Sequence, residues 1–245
     1  PLASTWPDDI KNYPWRDADA QARYAAMHFL DMNVDLAKLN QSGYCQRWGS
    51  PRRVAATVSS SRWNIVLGLR AAIKTLVTPG VNPREQATAL RFILHLMGDL
   101  HQPLHVVSPT LQGRQSYGGN LVMLVSRPLP TYSQKGVQGV SEFTELHALW
   151  DGLLGEFAQL PESIDSRFSA DGFERWQKAG QSFSQYLSTL SQRIPQPLDP
   201  VKPGVENWAR DTAMQGCQML RPRSGWHYRA LPHRSDIQLA VSSSV

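Results

Sequence analysis

Residues 82–105 read NPREQATALRFILHLMGDLHQPLH, and the start, middle and end of this stretch each carry a separate signal. Asn82, Pro83 and Glu85 mark a helix start, with Asn as the N-cap, proline at the first helical position and an acid in the first turn. The spacing predicts a helix over Pro83 to Asp99, with Leu90, Leu94 and Met97 recurring at helical intervals as its packing face. His95 and Asp99 are four residues apart on another face, so an imidazole and a carboxylate one turn apart can reach a single cation. Pro103 ends the helix ahead of His105 and lets the chain turn back to present a further imidazole to the same space. His101 lies two residues beyond Asp99, off that face, and reads as a supporting or structural histidine.

Working outward, Ser50 and Pro51 start a helix expected to run to about Leu76, and Thr144 to Phe157 reads as another. Asp171 with Glu174 opens a helix reaching Arg193, and Asp199 with Pro200 begins the last. Strand signal is confined to the β-branched, apolar stretch Asn120 to Val125, and Arg127 to Ser141 reads as an inserted loop. The final stretch, Arg221 to Val245, loses helical periodicity. With no repeat, low-complexity tract or linker, residues 1–245 read as one mainly α, multi-helix domain with a short hairpin or strand segment.

A chain of 245 residues, 41% hydrophobic, can bury a sizeable core. Its 25 Lys and Arg against 20 Asp and Glu leave a net charge of +5, which favours an anionic ligand without specifying one. The most apolar stretch, Trp63 to Val77, is interrupted by Arg70 and Lys74 well short of the ~20 clean residues of a membrane span. The chain opens at Pro1 with neither an initiator Met nor a signal peptide, as expected of a processed product or a fragment. Cys45 and Cys217 are compatible with two reduced thiols or with one long-range disulfide, and spacing alone does not choose between them.

A second His and Asp at a spacing of four occur in His147-Ala-Leu-Trp-Asp151. One such pair by itself is more often a hydrogen bond than a metal site. Two pairs beside the third histidine, His105, point to two metal positions, and zinc accepts His nitrogen and Asp oxygen at roughly 2.0 to 2.2 Å.

The combination of His95-x3-Asp99-x-His-Gln-Pro-Leu-His105, Gly118-Gly119-Asn120 and Leu146-His147-x2-Trp150-Asp151 resembles the zinc-dependent single-strand-specific nucleases and 3′-nucleotidases of fungi, plants, trypanosomatids and bacteria. Upstream, Ala3-Ser4-Thr5-Trp6-Pro7-Asp8 resembles the family's early Asp segment and Met27-His28-Phe29-Leu30-Asp31 its next His. The resemblance implies a mostly helical fold, shared with bacterial zinc phospholipase C, and three zinc ions in one cleft. It assigns Asp8, His28, His95 and Asp99 to the first zinc and His105, His147 and Asp151 to the second. Ligands of the third, an N-terminal Trp and an early His, have no match in this sequence, so two complete zinc sites and weak turnover are expected. The family's last helix is likewise expected to be missing.

The resemblance further implies phosphodiester hydrolysis of single-stranded RNA or DNA to 5′-phosphate products, with phosphate release from 3′-nucleotides. Asp8, Lys11 and Asp99 are its catalytic residues, Lys11 being the basic group near the phosphate. Phe29 would stack on a base, Asp31 would accept its N–H groups, and Asn120 would act near the scissile phosphate. Cys45 and Cys217 fall near positions that carry a disulfide in the family, implying a secreted, periplasmic or secretory-pathway protein. Asn40-Gln41-Ser42 is a glycosylation sequon, meaningful in a eukaryotic secretory host. A monomer is expected. The alternatives are a zinc phospholipase C, disfavoured by Asp151 where that group usually has Glu, and a scaffold impaired in catalysis.

Overall fold

The computed structural model describes residues 2–11, 17–124, 145–151, 204–222, 226–231 and 237–241. Its helices are α1 (Leu2–Lys11), α2 (Ala18–Ala26), α3 (Tyr44–Trp48), α4 (Pro51–Ser60), α5 (Ile65–Val77), α6 (Pro83–His101), α7 (Pro103–Val106), α8 (Leu146–Asp151) and α9 (Val205–Met219). Strands β1 (Met32–Asp35), β2 (Val107–Leu111) and β3 (Arg114–Gln115) form one small sheet; β4 (Val122–Leu124), β5 (Trp226–Ala230) and β6 (Ile237–Val241) form another. The fold is mainly helical, as the sequence predicts.

Helix α6 starts where expected, the Asn82 side chain accepting from the Arg84 amide at 2.8 Å, and its buried residues are Ala89, Phe92, Leu96 and Leu100. The expected packing face is corrected here: Leu90 and Leu94 are 45% and 53% exposed. Two apolar stripes run along this helix, and the stripe that α1 and α5 cover is the buried one. His95 and Asp99 therefore sit half-buried at the margin of the packed stripe, not on a separate face.

The single helix expected from Ser50 to Leu76 is two helices. Buried Asn64 separates them: its Oδ1 accepts from the Leu67 amide at 3.1 Å, capping α5, while its Nδ2 donates to the Val58 carbonyl at 3.0 Å near the end of α4. The last described helix begins at Val205 with Gly204 as its N-cap, and Asp199 and Pro200 lie outside the described residues. The Arg127–Ser141 loop, the Asp171–Arg193 helix and the continuation of α8 to Phe157 lie outside the described residues.

Strand content exceeds the one stretch read from sequence, because each strand is five residues or fewer and β1 and β4 find their parallel partners far along the chain. β1 runs parallel to β2 in the register Met32↔Val107 to Asp35↔Thr110. The Leu30 amide continues this pairing by donating to the His105 carbonyl at 2.8 Å. β4 lies parallel to β6, which pairs antiparallel with β5, so the C-terminal stretch without helical periodicity supplies two strands.

Helix α9 buries Val205, Ala209, Thr212, Ala213, Gly216 and Cys217 against α4, α6 and α7. Cys217 forms a disulfide with Cys45 on α3, with 5.6 Å between Cα atoms. No helix among the described residues is long and apolar enough to cross a membrane.

Candidate metal centre

Three separate elements deliver the four residues of the first group. Asp8 comes from α1, His28 from the segment after α2, and His95 and Asp99 from one face of α6. Ligand atoms of Asp8, His28 and His95 lie within 4.8 Å of one another. His28 Nδ1 is 2.9 Å from Asp99 Oδ2, 3.1 Å from His95 Nε2 and 3.7 Å from Asp8 Oδ1. His95 Nε2 is 3.5 Å from Asp8 Oδ1 and 3.1 Å from Asp99 Oδ2.

Around a tetrahedral zinc bound at roughly 2.0 to 2.2 Å, ligand atoms stand about 3.3 to 3.6 Å apart. The five separations scatter about that edge, and two imidazoles with two carboxylates are a zinc-type donor set.

The second group joins the turn of α7 to α8. His105 Nε2 lies 3.4 Å from Asp151 Oδ1, and His147 Nε2 lies 3.2 Å from Asp151 Oδ2. Both imidazoles are held from behind. His105 Nδ1 donates to the His28 carbonyl at 2.8 Å and His147 Nδ1 to the Gly118 carbonyl at 2.7 Å. A ring whose Nδ1 carries the hydrogen keeps the Nε2 lone pair for a cation, so both rings are oriented as ligands. The residues present thus fit metal at both groups.

Asp99 links the two groups. Its Oδ2 contacts His28 and His95 and stands 3.8 Å from His105 Nδ1. The bond from His105 to the His28 backbone ties them a second time. Burial alone would raise the Asp99 carboxyl, but the hydrogen bonds from His28 and His95 hold it low. Asp151 is also held well below the usual carboxylate range, His105 and His147 outweighing its desolvation. Desolvation would lower His95, yet hydrogen bonds to Asp8 and Asp99 push it up to about 10. The carboxylates around His95 attract positive charge, which a proton supplies in the polypeptide alone.

Residues 2–234 match the family model described as S1/P1 Nuclease. The chain belongs to the S1/P1 nuclease family. A search of curated proteins finds no match. Membership makes the protein a hydrolase that cleaves phosphodiester bonds of nucleic acids, in a family that is zinc-dependent in general.

In this S1/P1 nuclease, Lys11 Nζ sits 2.6 Å from Asp8 Oδ1 and, together with His95, holds that carboxylate low against its desolvation. Phe29 is 39% exposed, so it is not a core residue. Asp31 has a φ of 54°, a left-handed conformation that Asp tolerates in the turn into β1. Partial burial raises the Asp31 carboxyl, opposed by the charges of His147 and His105, which places it within electrostatic reach of the second group.

Asn120 is exposed and donates to the Tyr117 carbonyl at 2.7 Å, within its own turn. The glycines before it serve the protein rather than open space. A Cβ on Gly118, whose φ is 64°, would stand 2.7 Å from the Leu104 carbonyl and 3.3 Å from His147 Nδ1. A side chain there would displace the carbonyl that orients His147. His101 donates to the Met97 carbonyl of its own helix at 2.7 Å, the structural role read from its spacing.

Sequence reasoning gave Gln102 no role. Its Nε2 donates to Asp151 Oδ1 at 2.7 Å, while its Oε1 accepts from the Leu104 amide and caps α7. The available signal was its place immediately before Pro103, the N-cap position of a helix with proline at N1.

Proposed function

We propose that this protein hydrolyses phosphodiester bonds of single-stranded nucleic acid to 5′-phosphate products and releases phosphate from 3′-nucleotides, using zinc held by its His/Asp groups. The observation that carries this reading is the pairing of the two groups through Asp99 and through the His105 bond to the His28 backbone. Asp8, His28, His95 and Asp99 would hold one zinc ion, and His105, His147 and Asp151 a second. Zinc at such a site acidifies water and neutralises phosphate charge, so neither a Ser nor a Cys nucleophile is required.

The chain's own residues do the rest. Lys11 keeps Asp8 ionised and adds a fixed cation beside the phosphate site. Phe29 offers its exposed ring to a base, Asp31 accepts base N–H groups, and Asn120 contacts the substrate near the phosphate. A base paired in a duplex is not free to stack in this way, so single strands are preferred. A buried disulfide supports residence in an oxidising compartment.

The direct test is hydrolysis of single-stranded DNA and of a 3′-nucleotide by protein stripped of metal and then reloaded with zinc. Activity that survives chelation undiminished contradicts the reading. Phe29→Ala should weaken nucleotide binding by ~1 to 3 kcal/mol while sparing hydrolysis of a small base-free phosphodiester. Equal losses on both substrates remove Phe29 from the base site.

Because His147 and Asp151 face one position, His147→Ala and Asp151→Ala should each empty it, and the double variant should lose little more than either one. Zinc content per chain by elemental analysis, read beside the rate, checks this. Additive losses of metal would show that the two residues do not share an ion.

A further inference from the structure

Arg23 and Arg91 carry charge that no described carboxylate within 4.0 Å compensates. Their neighbours differ: Arg62 pairs with Asp19 at 3.2 Å, and Arg70 pairs with Glu206. Instead, both unpaired guanidiniums lie over aromatic rings. Arg91, exposed on α6 one turn before His95, stands 5.2 Å from the Trp6 centroid. Arg23 stands 4.8 Å over Tyr24 and 5.6 Å from Trp63, and also donates to the Tyr24 hydroxyl at 3.1 Å.

The rings connect the two arginines. Trp6 packs edge-on against Phe92 at 5.9 Å, and Phe92 stacks on Tyr24 at 5.9 Å with an interplanar angle of 7°. A strip of contacts through Arg91, Trp6, Phe92, Tyr24, Arg23 and Trp63 therefore links α6, α1 and α2 to the residue before Asn64, the N-cap of α5. Phe92 is buried beneath it, while Trp6, Tyr24, Arg23 and Trp63 keep part of their surface in solvent. One end adjoins the first His/Asp group, because Arg91 precedes His95 by four, one turn along the same side of α6.

We propose that this strip binds single-stranded polynucleotide beyond the nucleotide at the His/Asp groups, Arg91 and Arg23 contacting phosphates and the partly exposed rings supporting bases. The proposal rests on the nuclease reading above and extends it to strand length. Stacking on a ring pre-orients a guanidinium and leaves its weakly hydrated N–H groups free to fork onto phosphate. Without a carboxylate beside it, the cation releases the full benefit of displacing counterions from the strand. Alternating cations and rings is the pattern that proteins use for single strands irrespective of sequence.

The test compares wild type with Arg23→Gln, Arg91→Gln and the double variant. Binding of a fluorescent oligothymidylate of about 16 nucleotides is followed by anisotropy in EDTA, so that nothing is cleaved. The double variant should bind roughly tenfold more weakly at low salt, and the slope of log affinity against log salt should shrink by about 0.7 per lost phosphate contact. Hydrolysis of a dinucleotide by the zinc-loaded variants should equal that of wild type. Trp63→Ala, whose ring lies outside the packed core, should weaken the long strand selectively and guards against a misfolded arginine variant.

Unchanged affinity and unchanged salt slope would overturn the proposal, as would an equal loss on the dinucleotide. Equally tight binding of duplex at the strip would also overturn it, since paired bases cannot use the rings. A wild type that hydrolyses neither substrate but binds the long strand through these arginines would defeat the nuclease reading and leave the strip standing.

Discussion

Asp99→Ala is expected to lower the rate of single-stranded DNA hydrolysis by on the order of 10³-fold and to release metal from both groups. No other carboxylate among the described residues faces imidazoles of both. Its Oδ2 lies 2.9 Å from His28, 3.1 Å from His95 and 3.8 Å from His105. Removing it takes a negative charge from a half-buried position where the remaining nearby groups are chiefly imidazoles. Two cations held by the adjoining groups then repel each other with less negative charge between them, and zinc affinity falls with the geometry. His101→Ala makes the matched control, since that imidazole bonds only within α6 and should leave the rate within about twofold. The measurement is zinc per chain by elemental analysis beside initial rates, with a thermal melt to establish that each variant folds. An Asp99→Ala protein that keeps two zinc ions and near-normal turnover would separate the two groups and end the idea of a joint centre.

Replacing both Cys45 and Cys217 by Ala is expected to cost about 2 to 5 kcal/mol of stability, the second-largest effect anticipated. The bridge spans a sequence separation of 172, and closing so long a loop restrains the unfolded chain by roughly 5 kcal/mol in the chain-entropy model. Both sulfurs are fully buried, so alanine leaves a small cavity without stranding a polar group. Helix α9 is the element at risk. It packs on α7, which carries His105, so a loosened α9 should also weaken metal binding at the second group. Denaturant unfolding with and without the bridge gives the difference directly, and in a chain of this size the melting temperature should drop by about 2 to 4 °C per kcal/mol. Equal midpoints for the two proteins would show that packing alone holds α9 in place.

The site was more legible than the fold around it. The pairs His95/Asp99 and His147/Asp151 are local facts of helical period, and a spacing of four brings them together whatever surrounds them. The resemblance named Asp8, His28 and His105 as partners of these pairs. The packing face of α6 differs from the expected one because Leu90 and Leu94 obey the same period as Ala89, Phe92 and Leu96, whereas Met97 does pack against the core. The division between α4 and α5 turned on Asn64, one of several polar residues in that stretch, whose side chain bonds to both helices only once they meet.

What the sequence determined alone is therefore what depends on neighbours in the chain: helix starts at Asn82 and Ser50, the His–Asp pairs, and the break at Pro103. Tertiary structure decided what depends on distant partners. The parallel pairing of β1 with β2 lays residues 28–31 beside His105, 77 positions away from His28. The carbonyls of His28 and Gly118 select which nitrogen of His105 and His147 faces a cation, and Gln102 steadies Asp151 from 49 positions away. Local period sets which side chains share a face, but the orientation of an imidazole is set by whatever atom lies behind it, and only the folded chain supplies that atom.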